Sequence, residues 1–141
     1  MLPQITKGIG VDLLHLPRLT RLLTKRPTYT HRFARRILTK SEYRQFLKST
    51  TTTTTTTTTS SSSSPLAATT IKWLGVRWAA KEAAFKAFGT RRGGLVWEDV
   101  EVGYYDSGQP FLWLFNKERE RRMGGLSISH DGEYLVAMAM I

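Results

Sequence analysis

The chain has 141 residues, 40% of them hydrophobic and 11% aromatic, which excludes a disordered polymer and suits one domain with one core. Lysine and arginine outnumber aspartate and glutamate 21 to 11, a formal charge of +10, so an acidic partner is expected, and the lack of cysteine excludes disulfides, thiolate metal sites and cysteine nucleophiles. No apolar run approaches the roughly 20 residues that span a bilayer, and the first residues carry neither a signal-peptide core nor an arginine-rich transit segment, so a soluble protein is expected.

In chain order, residues 5–14 predict a strand in which Gly8 and Gly10 permit close approach of another backbone and Asp12 lies near the end. A helix follows, with Pro17 suited to its first turn, Leu16, Leu19, Leu22 and Leu23 as the buried stripe, and Arg18, Arg21 and Lys25 on the opposite side. Phe33, Ala34 and Ile37 predict a short second helix carrying Arg32, Arg35 and Arg36. Thr39 and Glu42 have the spacing of a capping box, which starts a third helix through Tyr43, Phe46 and Leu47. The next segment breaks the pattern, because Ser49, ten threonines, five serines and Pro65 make a low-complexity insertion over residues 49–65. Its hydroxyls compete for backbone hydrogen bonds and it has no apolar residue to dock, so a mobile loop is expected within a single domain spanning residues 1–141.

Residues 70–88 carry the longest helical pattern, closed by Gly89 as a left-handed cap, and apolar side chains nearly surround it, so it should be the central helix. From Val100 the period changes to two, an Asp106-Ser107-Gly108-Gln109-Pro110 turn follows, and residues 111–115 return as a hairpin. Asn116 is placed to cap a short charged helix ending at Gly124 and Gly125. Residues 126–130 and 133–141 flank Asp131-Gly132, a two-residue hairpin signal. The expected class is α+β, with a mainly antiparallel sheet packed on helices.

Some residues do not fit a purely structural pattern. Glu82 stands on an apolar stripe of the central helix, four residues after Trp78 and three before Phe85. A buried carboxylate needs a cation, a proton or a route to water, and Lys86 at i+4 could serve as an ordinary helical ion-pair partner. Asp12 either caps the following helix or, with Glu82, offers two hard oxygen donors of the kind that hold magnesium beside substrate phosphates and water. His130 alternates with Leu126 and Ile128 and so faces with core residues, where a hydrogen-bonded core histidine is the plainer reading. Arg77, Lys81 and Lys86, followed by Thr90-Arg91-Arg92-Gly93-Gly94, suit either a phosphate-rich ligand or a solvated basic loop.

Four blocks carry a resemblance. Gly8-Ile9-Gly10-Val11-Asp12 with Arg18 six residues later, Arg32-Phe33-Ala34 through Ile37-Leu38-Thr39-Lys40-Ser41-Glu42, Trp78-Ala79-Ala80-Lys81-Glu82-Ala83-Ala84-Phe85-Lys86-Ala87-Phe88-Gly89, and Ser127-Ile128-Ser129-His130 together resemble the holo-[acyl-carrier-protein] synthases, small phosphopantetheinyl transferases. The likeness runs from about Thr6 to the C-terminus, and the insertion and the Arg91-Arg92 pair depart from the compact bacterial pattern. It implies the phosphopantetheinyl transferase fold and transfer of the 4′-phosphopantetheine arm of coenzyme A to a serine of an apo acyl carrier protein, with release of adenosine 3′,5′-bisphosphate. By the same resemblance Asp12 and Glu82 hold magnesium, and Glu82, directly or through a bound water, is the base for the serine hydroxyl. Lys86 stabilises or protonates the departing phosphate oxygen, and His130 helps to hold coenzyme A and orient the metal end. Arg77, with Gly89, Thr90 and the loop to Gly94, is the candidate for the 3′-phosphate and adenine.

The resemblance also gives the basic helix a purpose, since Arg18, Arg21 and Arg32 would steer and dock a small acidic carrier protein. It implies a homotrimer with active sites at subunit boundaries, where Trp and Phe would be buried, in the service of fatty acid and lipid biosynthesis. The hydroxyl homopolymer tract suggests a eukaryotic, mitochondrial setting, with the cytoplasm as the alternative. Neither nucleic acid nor a membrane is expected as a partner. Two rival functions use the same basic surface: a nucleic-acid-binding module, which lacks a recognisable motif here, and a non-catalytic carrier-protein adaptor, which would not need Asp12, Glu82 and Lys86 together.

Overall fold

The computed structural model describes residues 8–52, 68–89 and 94–141. The elements are β1 (Ile9–His15), α1 (Leu16–Thr24), α2 (Tyr29–Ile37), α3 (Lys40–Thr52), α4 (Ala68–Phe88), a 3₁₀ turn (Trp97–Asp99), β2 (Val100–Tyr104), β3 (Pro110–Phe115), β4 (Arg121–Asp131) and β5 (Tyr134–Met140). The strands form one sheet in the order β1-β5-β4-β3-β2, and each neighbouring pair is antiparallel. The α+β class expected from the sequence is the class observed.

Strand register divides the sheet into two unlike faces. Gly10, Asp12 and Leu14 of β1 align with Ala139, Ala137 and Leu135 of β5, and these with Leu126, Ile128 and His130 of β4. Small residues keep this face flat, and α4 lies on it. A Cβ on Gly10 would fall on the backbone of Ala83 and Ala87, and one on Gly8 would fall on the Ala87 carbonyl, so these two glycines are what lets α4 rest directly on β1. The opposite face carries Ile9, Val11 and Leu13 of β1 with Met140, Met138 and Tyr134 of β5, all between 45% and 65% exposed. Leu19 and Leu23 of α1, Ile37 of α2, Phe46 of α3 and Leu74 of α4 complete the core, each at most 1% exposed.

Local signals set the start of α3 and the end of α4. Thr39 and Glu42 form the expected capping box, with the Thr39 N–H donating to Glu42 Oε2 at 3.0 Å and the Glu42 N–H to Thr39 Oγ1 at 3.2 Å. Gly89 ends α4 at φ +71°, its N–H donating to the Phe85 carbonyl at 3.1 Å. Helix α3 runs on to Thr52, past the start of the presumed loop. There Ser49 Oγ donates to the Phe46 carbonyl and Thr50 Oγ1 to the Leu47 carbonyl, so the hydroxyls bond within the helix and not against it. The remainder of the expected mobile loop lies outside the described residues.

Two expectations are corrected. The charged helix after Asn116 does not form; residues 116–120 make a turn between β3 and β4, and β4 begins at Arg121. Asn116 Oδ1 accepts from the Glu120 N–H at 2.8 Å, a bond that serves a turn as well as a helix cap, and pairing of β3 with β4 favours the turn. The last hairpin turns at Gly132 and Glu133, one residue later than expected, because Asp131 pairs with Tyr134 and Gly132 takes the positive φ of +53°.

Candidate active site

β1 is the outermost strand on its side of the sheet, and its Asp12 points to the face that α4 covers. Lys86, near the end of α4, reaches across to it: Nζ donates to Asp12 Oδ1 at 2.8 Å and to the Val11 carbonyl at 2.9 Å. Glu82 stands one turn earlier, and its Oε1 accepts from the Trp78 indole at 3.3 Å, while Phe33 of α2 meets the Trp78 ring edge-on at 5.1 Å. The ion pair between Glu82 and Lys86 that helical spacing allows is not among those formed in the described residues; the lysine turns to Asp12 instead. The aspartate therefore does not cap α1, whose N-cap position is His15 without a side-chain capping bond. The result is a carboxylate, an ammonium and a second carboxylate in succession along the edge of the sheet.

This donor set fits a hard divalent cation. Asp12 Oδ2 and Glu82 Oε2 take part in none of the side-chain hydrogen bonds found among the described residues, so each carboxylate keeps an oxygen to offer. No cluster of three or more histidine, cysteine or carboxylate ligands occurs among the described residues. Two carboxylates without a full protein cage are what magnesium accepts when phosphates and water supply the other positions.

The other predicted ligands separate. His130 does lie on the face that α4 covers, as its alternation suggests, but it is exposed there, and its Nε2 is 2.9 Å from Lys72 Nζ on α4. Asp12 is two strands and two residues away, roughly 12 Å by sheet geometry, with buried Leu135 and Ala137 between. One subunit thus does not bring His130 to the carboxylates. Gly89 is exposed at the end of α4, whereas Thr90 lies outside the described residues.

Arg77 corrects an expectation. It is 4% exposed, its guanidinium sits 3.3 Å from the centroid of the Trp73 ring, and its Nε lies 3.8 Å from Glu42 Oε1, so it packs in the core and does not face a phosphate. Lys81 is fully buried beside it, donating to Glu42 Oε2 at 2.7 Å, to the Ile37 carbonyl at 2.6 Å and to the Trp97 carbonyl at 3.1 Å. Glu42 also accepts from the Val102 N–H at 3.0 Å. This centre joins α2, α3, α4, β2 and the 3₁₀ turn. Burial lowers both Lys81 and Arg77 from their ordinary values, and Glu42 opposes the shift. The capping-box spacing was the one sequence signal at Glu42, and nothing in it pointed to the buried cations.

The basic side chains keep their expected orientation, but Leu22, expected in the buried stripe of α1, is 41% exposed because it lies one turn after Arg18 on the outer side. Leu19 and Leu23 are buried under α1, and Arg18 and Arg21 are exposed on its outer side, as is Arg32 on α2. Beside them, Leu16, Pro17, Thr20, Arg21, Gly132 and Glu133 line a groove of about 470 Å³.

Comparison with known proteins identifies the family. Residues 8–139 match the family described as the 4′-phosphopantetheinyl transferase superfamily. A mitochondrial 4′-phosphopantetheinyl transferase B of Aspergillus fumigatus is 39% identical over 141 aligned residues, covering 94% of this chain and 92% of that protein. A holo-[acyl-carrier-protein] synthase of Hydrogenovibrio crunogenus is 34% identical, covering 94% of each. The crystal structure of the holo-[acyl-carrier-protein] synthase of Neisseria meningitidis superposes with a TM-score of 0.67 at 26% identity, covering 94% of this chain and 95% of that one. The matched family model over residues 8–139 and relatives at these identities, on this fold, place the chain in the 4′-phosphopantetheinyl transferase superfamily.

Proposed function

We propose that the chain transfers 4′-phosphopantetheine from coenzyme A to a serine hydroxyl of an apo acyl carrier protein, releasing adenosine 3′,5′-bisphosphate. The observation that carries this reading is the Asp12, Lys86 and Glu82 succession at the outer strand, beside the basic surface of α1. The serine oxygen bonds to the phosphorus that bears the pantetheine arm, and the bond from that phosphorus to the bridging oxygen breaks. Glu82 takes the serine proton through a bound water, its Oε1 being fixed by Trp78 and its Oε2 being the oxygen left for a cation. Lys86 releases Asp12 and stabilises the charge that collects on the leaving phosphate. Asp12 and Glu82 would hold magnesium, which when bound neutralises pyrophosphate charge.

The carrier protein docks on Arg18, Arg21 and Arg32, where the groove beside Arg21 accepts apolar side chains of an acidic helix. The active assembly is a homotrimer. Its support is the exposed apolar sheet face, made of aliphatic, methionine and tyrosine side chains where Trp and Phe were expected. Assembly also answers the separation within one subunit, because a site at a subunit boundary can draw its histidine from the neighbouring copy. The mitochondrial relative supports a mitochondrial setting and a role in fatty acid synthesis there. Incubating the protein with coenzyme A, magnesium and apo carrier protein and weighing the carrier by mass spectrometry tests the reaction; an unmodified carrier would refute it.

A further inference from the structure

An indole N–H can only donate, and that of Trp78 donates to Glu82 Oε1 at 3.3 Å, one turn along α4. The ring is not free to leave. Trp78 is partly buried against the core, and Phe33 of α2 meets it edge-on at 5.1 Å, so a second helix holds the bond in place. Asp12 is likewise engaged through one oxygen, Oδ1, but its partner Lys86 is half exposed on a flexible stem that can swing away. Each carboxylate therefore offers a cation one oxygen, and at Glu82 that limit is fixed. The consequence differs between cations. Magnesium asks for a strict octahedron of oxygens at about 2.0–2.1 Å, whereas calcium takes about six to eight at about 2.3–2.6 Å and often both oxygens of one carboxylate. A Glu82 that turned both oxygens to calcium would have to break the Trp78 bond and leave the indole N–H without its partner.

We propose that Trp78 is a positioning residue that confines Glu82 to ligation through one oxygen and so biases the cation site toward magnesium over calcium. The assignment rests on the reading of Asp12 and Glu82 as magnesium ligands above, and it adds a residue that touches neither the cation nor the substrate. Packing against Phe33 asks only for an aromatic ring; the N–H is what reaches the carboxylate. The nearby lysines do not share the task, because Lys81 is committed to Glu42 and Lys86 to Asp12. An indole donor also suits the role better than a cation would. It holds the oxygen without adding a positive charge that would repel the metal.

The test uses manganese, which accepts the same oxygen donors as magnesium, bound to the protein with coenzyme A present and no carrier. Its electron paramagnetic resonance is followed while magnesium or calcium is added, and the quantity read is the ratio of the two concentrations that release half of the manganese. In Trp78→Phe, which keeps a ring against Phe33, that ratio should move about tenfold toward calcium, as expected for one lost hydrogen bond to a charged group. A general packing defect would weaken both cations alike and leave the ratio in place. Replacing Trp78 by benzothienylalanine, which keeps the ring shape and lacks the N–H, should give the same shift and decides the matter if Trp78→Phe does not fold. An unmoved ratio in the folded protein would overturn the assignment. Asp12→Asn keeps the two readings apart. Manganese that binds the wild type and is lost in Asp12→Asn, with a ratio that does not respond at Trp78, refutes the role of Trp78 alone. A wild type that binds no manganese, or binds it equally well as Asp12→Asn, refutes the cation site and the role of Trp78 with it.

Discussion

Asp12 and Glu82 are alike in chemistry and differ in what already holds them. One oxygen of Asp12 belongs to Lys86, which is half exposed and can swing away; one oxygen of Glu82 belongs to the Trp78 indole, which the Phe33 ring keeps in place. Glu82 is thus the better oriented of the two, as a group that takes a proton should be. Replacing either by its amide, Asp12→Asn or Glu82→Gln, should lower carrier modification by about a hundredfold or more while the thermal unfolding midpoint moves little, because neither side chain joins the buried ion centre. Excess chelator should abolish turnover in the wild type, and full turnover in its presence would remove magnesium from the mechanism. At this scale the sequence displayed the carboxylates, through a glycine-flanked aspartate and a glutamate on an apolar stripe. It did not display the partner of Lys86, because helical spacing offers Glu82 as readily as the strand offers Asp12.

Elements meet where backbones can touch or where charges are neutralised. The first case was legible: Gly8 and Gly10 mark close approach whatever comes near, and α4 is what came. Gly10→Ala should push α4 off β1, costing about 1–3 kcal/mol by overpacking and lowering turnover with it, as urea unfolding and carrier kinetics would record. The second case was not legible, since Arg77 and Lys81 look like surface charges until Glu42 is known to lie against them across α3 and α4. Glu42→Gln leaves a buried ammonium without its carboxylate and should cost about 3–5 kcal/mol. That cost should depend on pH. Burial already lowers Lys81, and without Glu42 its folded form gives up the proton at still lower pH than the unfolded chain does. Between those two values the unfolded state binds more protons, so the stability of the variant climbs as pH rises. The urea midpoints of wild type and variant should therefore draw together as pH rises toward the ordinary lysine range, and a constant gap would contradict it. The turn at residues 116–120 escaped for a plainer reason, in that asparagine signals a cap and a turn equally well.

Over the whole molecule, charge and apolar surface lie on different sides: cations crowd α1 and α2, while the sheet presents Ile9, Val11, Leu13, Met138 and Met140. The basic side acts at a distance. Arg18→Glu with Arg21→Glu should lower kcat/KM for the carrier protein by roughly tenfold or more at low salt, with the loss shrinking as salt rises, while coenzyme A binding holds. In the homotrimer proposed above the apolar side is the contact, so Val11→Lys with Met138→Lys should give monomers by light scattering and remove activity while the far-UV circular dichroism persists. Neither side could be drawn from composition alone, which reports a charge of +10 but not where it sits. The sheet order has a consequence for biosynthesis. Among the described residues the strand that carries Asp12 pairs with β5 alone, Ile9 opposite Met140, although the two lie at opposite ends of the described chain. On the ribosome, β1 must wait unpaired until β5 has emerged, and its apolar residues stay exposed to aggregation or to chaperones through that interval. The nascent chain is therefore inert toward the carrier until β5 closes the sheet, and the carboxylate at its edge comes into position last.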